Sequence, residues 1–518
     1  MVPAKPGRLS SAKALILATQ LASISDVASL RILLTQNPIQ RDTVLRILLS
    51  YLPETLDTSE YVPLLEEIIS GIWLEEAPSK PPIHSSSLDW LSEDDAKRKA
   101  RKLHLLPLKP PSAPSDIPED PLVLFLIHRS LRIDEYTGIL TQIPELLAPF
   151  LHHSPYLRTW LISTVLPLVR LNYDYHPGET AIISVPKFDS LNERAAVSLL
   201  LSRTGTSETD FTNTTVGRDL RGLVGPWMYG ESRWKKISSD LTNKSVTPLD
   251  EDVTDYNKYS GWEEVFIWIT EHASHSWDVA VKVVEQWEGP GDVDTGGYGD
   301  GSRWASEDDQ QHLEVRYARS ILAAAYLITD TSVEALNGVD RLISRLITLM
   351  DQEKLPTLQQ AAAMLLPVPD FGNLLKPSYA ASLRNDLLEE TNPLTKPKQS
   401  SIQLIHTLVV SAFLCTRSGT PVNMRKAGEL ALLQDKADQK AEFLKLMSRV
   451  GEHAKQDEKY WQRTRNEILW LRNWGVEQIE TGSSTSHGCG IFGKLPSEML
   501  ERKVLEGLLG GSCRSLHL

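Results

Sequence analysis

Apolar residues recur every three or four positions along nearly the whole of this 518-residue chain. Such spacing places apolar side chains in a stripe along one face of an α-helix. Residues 402–414 are apolar nearly all round, which predicts a helix buried between neighbouring helices. The clearest single stripe lies between residues 333 and 350 and consists of Leu336, Val339, Leu342, Ile343, Leu346, Ile347 and Met350.

Evidence for β-strands is thin. The best candidate is the segment Ala181–Val185, and one short extended segment does not make a sheet. No fixed repeat period is present either. The sequence therefore predicts an all-α fold, an irregular α-solenoid of stacked antiparallel helices, because each helix pair hides its apolar stripe only by stacking on neighbours.

Capping residues, prolines and glycines indicate where helices should begin and end. Asn37 followed by Pro38 predicts an N-cap and a proline in the first helical turn. Gly510 and Gly511 predict the end of the last helix. The predicted organisation is an N-terminal helical segment (1–74), Pro/Ser-rich linkers around one helix (75–121), a helical solenoid (122–287) with an aromatic-rich segment at 218–287, a Gly/Asp loop (288–303) and a C-terminal solenoid (304–518).

The N-terminal region superficially resembles a signal peptide, because Lys5, Arg8 and Lys13 precede a short apolar run. Gln20 and Ser23 interrupt that run and leucines continue periodically beyond it, so a first solenoid helix is the better interpretation. No apolar run approaches the roughly 18 residues needed to span a bilayer. We therefore expect any membrane association to be peripheral and to depend on partner proteins.

The formal net charge is −13, which does not favour a nucleic-acid partner. One basic cluster, residues 97–102, follows three acidic residues, Glu93, Asp94 and Asp95. This order opposes the dipole of a helix and favours an ordinary solvent-exposed helix, with nucleic-acid or lipid binding as the alternative. The three cysteines, Cys415, Cys489 and Cys513, are too few for a disulfide framework and indicate a reducing compartment.

Candidate metal ligands occur at three-residue spacings, as His272, His275 and Asp278. On a single helix they would share one face, so a metal-dependent hydrolase is an alternative function, although the order differs from that of zinc proteases. The Gly/Asp loop lacks the ligands that a calcium loop requires at its fifth and twelfth positions, Gly296 and Arg303. Cys489 is expected to be a free surface thiol. We predict no cofactor, no metal site and no catalytic residue.

The segment from residue 218 to 287 is dense in tryptophan, tyrosine, glycine and arginine. It predicts either an aromatic core, where helices meet a bent linker, or a partner-binding surface, since these residue types dominate binding hot spots. Both interpretations remain open on sequence alone. The residues that define this candidate site are Arg218, Arg221, Trp227, Tyr229, Trp234 and Trp262.

Three motifs in this chain resemble the secretory pathway protein 39 family, to which the neuroblastoma-amplified sequence protein is related. They are Arg221–Gly230 with Gly261–Trp268, the Gly/Asp loop that follows, and Asn466–Gly475 with Gly490–Gly493. The resemblance runs from about the first helix to about residue 508.

The resemblance implies a non-catalytic α-solenoid subunit of the Dsl-type vesicle tether, on the cytoplasmic face of the endoplasmic reticulum (ER). Its implied partners are other tether subunits, ER SNAREs and, indirectly, COPI vesicles in Golgi-to-ER retrograde transport. Family members are expected to continue beyond this chain's last residues, so a truncated C-terminus is also expected. A generic cytosolic helical-repeat adaptor is the remaining alternative.

Overall fold

The structure is a computed structural model that describes residues 9–73, 90–111, 117–178, 183–206, 215–235, 260–301, 304–452, 458–475 and 488–515. The predicted linker at 75–88 lies outside these residues, as do Ala181 and Ile182 of the strand candidate. Across the described ranges every regular element is helical, and Val185 begins a helix instead of ending a strand. The all-α prediction is therefore confirmed.

The chain divides into two compact units. Unit 1 comprises Met1–Arg203, Gly222–Trp234 and Asp294–Ser302, and unit 2 comprises Thr204–Arg221, Lys235–Val293 and Arg303–Leu518. The chain passes from one unit to the other after Arg203, twice within the aromatic-rich segment (after Arg221 and after Trp234) and twice within the Gly/Asp loop (after Val293 and after Ser302).

Unit 1 consists of short and medium helices interrupted by several irregular turns. Its α-helices are α1 (Ser11–Ser23), α2 (Val27–Gln36), α3 (Arg41–Tyr51), α4 (Thr58–Ser70), α5 (Glu93–Arg101), α6 (Pro121–Thr137), α7 (Gln142–Leu147), α8 (Pro155–Trp160), α9 (Leu166–Val169), α10 (Val185–Asp189) and α11 (Glu193–Leu200). Helix α1 packs against α2, α3 and α5, and α6 packs against α3, α7 and α10. Each helix thus buries its stripe against several others.

Unit 2 holds the longer helices. After the short α12 (Thr215–Asp219), and with α13 (Gly225–Trp227) belonging to unit 1, its helices are α14 (Ser260–His275), α15 (Trp277–Gln286), α16 (Glu307–Leu327), α17 (Val333–Leu349), α18 (Leu358–Met364), α19 (Gln399–Arg417), α20 (Met424–Leu433), α21 (Lys436–Val450), α22 (Glu458–Arg472) and α23 (Ser497–Ser515). Helix α14 packs on α15 and α16, and α17 packs on α15, α16 and α19, an order compatible with the predicted stacking.

Side-chain caps begin many of these helices where the sequence supplies Ser, Asp or Asn. Asp120 accepts from the amides of Leu122 and Val123 at the start of α6, and Ser306 accepts from the amide of Asp309 at the start of α16.

Two boundary predictions were wrong. Asn37 ends α2 and α3 begins only at Arg41, whereas α23 runs through Gly510 and Gly511 to Ser515. Single-residue signals therefore did not set these two helix ends.

Helix α19 is the one helix in the described ranges that is long and apolar enough to cross a membrane. The expectation that no run approaches this length missed it. However, 78% of the relevant window is buried inside the protein, against α16, α17, α18 and α20. The prediction that residues 402–414 form a helix enclosed by neighbours is therefore confirmed, and its apolar character is that of a core helix.

Buried arginines bind the carbonyl groups of irregular segments. In unit 2 the guanidinium of Arg319 donates to the carbonyl oxygens of Glu389, Glu390 and Asn392 and to the hydroxyl of Thr395. This segment turns without forming a helix, so the carbonyls of Glu390 and Asn392 lack the partners that a helix would provide, whereas the Glu389 carbonyl also accepts from the Asn392 amide. A buried carbonyl without a donor is costly, and the planar guanidinium supplies several donors at once.

Arginine side chains also donate to backbone carbonyls in unit 1. Arg129 is fully buried and donates to the carbonyl oxygens of Leu52 (2.8 Å) and Pro53 (2.6 Å). Arg46 donates to the carbonyl oxygens of Leu105 (2.8 Å) and Leu106 (3.0 Å). Arg46 therefore anchors the part of the 75–121 linker region that follows α5.

Replacement of Arg319 by methionine keeps the apolar stem but removes every guanidinium donor. We expect the free energy of unfolding to fall by about 1–3 kcal/mol, because the buried Asn392 carbonyl loses its guanidinium donor and a buried carbonyl without a donor costs about that much. Thermal denaturation followed by circular dichroism measures the change. The matched control is Arg384→Met, because Arg384 is exposed and its pair with Glu429 is worth less than about 1 kcal/mol. Equal melting temperatures for the two variants would contradict the role of Arg319.

Candidate functional site

The six residues of the predicted aromatic site divide between the two units. Arg218, Arg221 and Trp262 belong to unit 2, and Trp227, Tyr229 and Trp234 belong to unit 1. The indole rings of all three tryptophans are buried, whereas Tyr229 is half-buried. The aromatic density of this segment therefore supplies core side chains in both units.

Arg218 and Arg221 form ion pairs within unit 2. Arg218 pairs with the buried carboxylate of Asp219 at 2.8 Å, and Thr204 donates to the other oxygen of that carboxylate at 3.0 Å. Arg221 pairs with Asp292 at 2.7 Å and donates to the carbonyl of Gln286 at 3.1 Å. These contacts fix the short helix α12 and the start of the Gly/Asp loop against the end of α15.

Trp262 lies in an aromatic cluster of unit 2. Its ring stacks on Trp287 with a centroid distance of 6.0 Å, and it meets Trp304 at 5.8 Å. Trp287 also meets Tyr317 edge-on at 4.9 Å, and the Tyr317 hydroxyl donates to the carbonyl of Trp287. Burial raises the pKa of Tyr317 well above its usual value, so this phenol stays neutral. The cluster joins α14, α16 and the residue after α15.

A polar cleft of about 570 Å³ lies in unit 1 beside the buried Trp227. We call it the α8 cleft, since α8 and the turn that follows form one wall. The residues between α10 and α11 and the segment 227–233 form the others. Its lining consists of Pro155, Tyr156, Thr159, Trp160, Ser163, Thr164, Asp189, Leu191, Asn192, Glu193, Trp227, Gly230, Glu231, Ser232 and Arg233.

The floor of the α8 cleft is held by Arg233. Its guanidinium is paired with the Asp189 carboxylate and donates to Thr164 Oγ1 at 3.1 Å. Thr164 donates in turn to Asp189 at 3.2 Å, and the guanidinium lies 5.6 Å from the centroid of the Trp227 ring. The rim carries two further carboxylates, Glu193 and Glu231, so the charge of the cleft is negative.

The wall beside α8 is an interrupted helix. Two π-helical turns, Leu161–Val165 and Arg170–Tyr175, flank α9 without a break in the chain's helical path. Pro167 has no amide hydrogen for the regular bond to the Ser163 carbonyl, and the helix widens immediately before it. This widened turn contributes Ser163 and Thr164 to the cleft. π-turns occur frequently at functional sites.

The metal-site alternative is contradicted by the arrangement of its residues. Helix α14 ends at His275 and α15 begins at Trp277, so Asp278 does not share a helix with His272 and His275. The Nδ1 atoms of His272 and His275 lie within hydrogen-bond distance of the carbonyls of Trp268 and Glu271. The described part of the chain contains no group of three His, Cys, Asp or Glu residues arranged to hold a metal ion.

The other chemical candidates are also occupied or unreactive. Asp292 pairs with Arg221 and Asp294 pairs with Arg170, so arginines take the positions that a calcium ion would need. Burial raises the pKa of the Cys489 thiol, which is half-buried instead of lying at the surface as expected. Burial also raises the pKa of Cys415 to about 12. Neither thiol has the lowered pKa of a nucleophile.

Sequence reasoning missed Asp189, Thr164 and Arg233, the residues that build the cleft floor. They stand apart in the sequence, and single polar residues among apolar ones carry no motif. The one available signal was Pro167 inside an otherwise strong helical run, which indicates a distorted helix.

The protein is all-helical. Its aromatic-rich segment contributes side chains to the cores of both units and to the floor of the polar α8 cleft. Comparison with protein-family models matches residues 15–516 to the family described as secretory pathway protein Sec39. The chain belongs to this family. A search against curated protein sequences found no match.

Replacement of Trp262 by alanine tests whether the aromatic segment is structural. We expect a loss of about 3–5 kcal/mol in the free energy of unfolding, the usual cost of deleting a buried tryptophan ring. The matched control is Trp90→Ala, because Trp90 is 73% exposed and its loss leaves no cavity. Chemical denaturation of both variants measures the difference. A Trp262→Ala protein as stable as the control would show that this ring is not part of the core.

Proposed function

We propose that the protein is a non-catalytic scaffold subunit of an ER-associated vesicle tether. In this role it holds vesicles returning from the Golgi near the SNAREs of the endoplasmic reticulum. The observation that carries the proposal is the match of residues 15–516 to the secretory pathway family, because it covers nearly the whole chain. The entire helical architecture, and not an isolated segment, therefore belongs to a secretory pathway protein.

Two features of the molecule support a mechanical role. Neighbouring helices along the chain pack on one another in unit 2, an arrangement that carries force through many contacts. Buried arginines such as Arg129 and Arg319 hold the irregular segments, which adds rigidity where a helical protein would otherwise bend. We propose that the partners are other tether subunits, ER SNAREs and, indirectly, COPI vesicles.

A generic helical-repeat adaptor outside the secretory pathway remains the competing function. The family match favours the secretory role, and location separates the two in an experiment. A tagged full-length chain in a cell that possesses an early secretory pathway is expected to concentrate on the ER. A diffuse cytosolic distribution would favour the adaptor.

Affinity purification of the tagged chain from detergent-solubilised membranes tests the partners directly. We expect recovery of ER SNAREs and tether subunits well above the level obtained with an unrelated tagged helical protein. The reason is that a scaffold must bind several partners through its folded surface. Recovery of neither class by a correctly folded chain would exclude the tether function.

We propose further that the α8 cleft binds a basic, extended segment of a partner subunit. The cleft is open, contains tyrosine and tryptophan side chains and carries Glu193 and Glu231 on its rim. Lysine and arginine side chains are attracted both by carboxylates and by aromatic faces. Arg233, which is paired with Asp189 in the floor, is the one basic side chain in the lining of the cleft.

Replacement of Ser232 by tryptophan places a bulky ring at the exposed rim of the cleft. We expect partner affinity to fall about tenfold or more, because a blocked pocket loses its central contacts. The control is Ser202→Trp, which adds the same ring at an exposed position of unit 1 outside the cleft lining. Titration calorimetry with a purified partner subunit measures both. Equal affinities would place the partner elsewhere while leaving the tether function untouched.

A further inference from the structure

Helix α5 carries a cluster of exposed cations, and an exposed tryptophan just before the helix lies within reach of one of them. Trp90 is 73% exposed, although large aromatic rings are usually at least half-buried. The exposed cations are Lys97, Arg98, Lys99, Arg101, Lys102 and Lys109, and we call them together with Trp90 the basic patch. The sequence contains no acidic residue between Lys97 and Lys109, which is notable in a chain of net charge −13.

The faces of α5 explain how the cations are presented. Ala96 is fully buried, and it marks the side of α5 that packs against α1. Lys97 and Arg101 are four residues apart and share one outward face, and Arg98 and Lys102 share the adjacent face. The acidic residues are confined to the first turn, where they stabilise the positive end of the helix dipole. The later turns therefore present positive charge alone to solvent.

The helix is held in place, so this charge is fixed on the surface. The Ser92 hydroxyl caps the first turn by accepting from the amide of Asp95. Beyond the helix, Arg46 donates to the carbonyls of Leu105 and Leu106, and Ser50 accepts from the Leu106 amide at 2.8 Å. The patch thus lies on a rigid part of unit 1.

Few of these cations are neutralised within the described residues. Arg98 pairs with Asp95, and both side chains are largely exposed. Lys99 lies 5.2 Å from the centroid of the Trp90 ring. No ion pair is present for Lys97, Arg101, Lys102 or Lys109 in that part of the chain. Helix stability alone does not need this many unpaired cations, since one or two in the last turn would oppose the dipole.

We propose that the basic patch docks unit 1 directly on an anionic lipid surface. Clusters of lysine and arginine are attracted to acidic headgroups, and tryptophan rings insert at the level of the headgroups. This inference goes beyond the tether function and does not rest on it, because it assigns the chain its own contact with a bilayer. The expectation that membrane association depends entirely on partners would then be incomplete.

A nucleic acid is the competing ligand for a basic surface, and the structure favours the bilayer. Binding of single strands uses aromatic faces on which bases stack. Here there is one aromatic ring, and the Lys99 ammonium already lies over its face. A planar bilayer needs only a compact set of cations and one interfacial ring.

Flotation of the full-length chain with vesicles provides the test. We expect binding to phosphatidylcholine vesicles that contain phosphatidylserine, little binding to phosphatidylcholine alone, and release at high salt. The variant Lys97→Gln, Arg101→Gln, Lys102→Gln and Lys109→Gln should lose about tenfold or more of its vesicle binding, since each cation contributes near an anionic surface. Trp90→Ala should weaken binding by a smaller factor.

The matched control removes four exposed cations of unit 2 by Lys354→Gln, Lys436→Gln, Lys440→Gln and Lys459→Gln. It changes the net charge equally and should bind vesicles as the unmodified chain does. Circular dichroism establishes that each variant is folded. The proposal is overturned if the patch variant floats normally, if the control loses as much binding as the patch variant, or if the patch binds single-stranded RNA and not the vesicles.

Discussion

Hydrogen bonds from buried arginines to backbone carbonyls hold this structure together where its helices stop. Arg129 and Arg319 each donate to several carbonyl groups of a segment that is distant in sequence, and Arg472 donates to the carbonyl of Leu495. An all-helical protein with many short helices must bury some of these segments in order to pack. Because guanidinium groups offer several donors in a fixed plane, one side chain can satisfy several carbonyls. The irregular connections thereby become part of the core.

The same constraint explains the composition of the aromatic-rich segment. Its tryptophans fill space between helices of different length, and its arginines fasten the adjoining loops through Asp219 and Asp292. A glycine allows close approach within this segment, since a Cβ at Gly222 would lie 2.3 Å from the hydroxyl oxygen of Tyr175. The aromatic-rich segment, which resembles a binding site in sequence, therefore mainly fills the cores of the two units. The α8 cleft beside Trp227 is open to solvent.

Two surface features of unit 1 carry the proposed binding functions. The α8 cleft presents negative charge, whereas the basic patch on α5 presents positive charge, and both lie in unit 1. Opposite charges on separate surfaces favour different partners at each surface, because like charges repel at an interface. Arg233 holds the floor of the cleft, and Arg46 anchors the segment that follows α5.

The sequence by itself determined the helical class, the buried helix α19 and the family, because periodicity and dense motifs are properties of short stretches. It also placed most stripes on the correct helices, whereas the glycines at 510 and 511 failed to end α23. Only the tertiary structure decided the division into two units, the role of Arg129 and Arg319, and the meeting of Asp189 with Arg233. Those contacts join residues far apart in the chain, and their free energy depends on burial that no local pattern records.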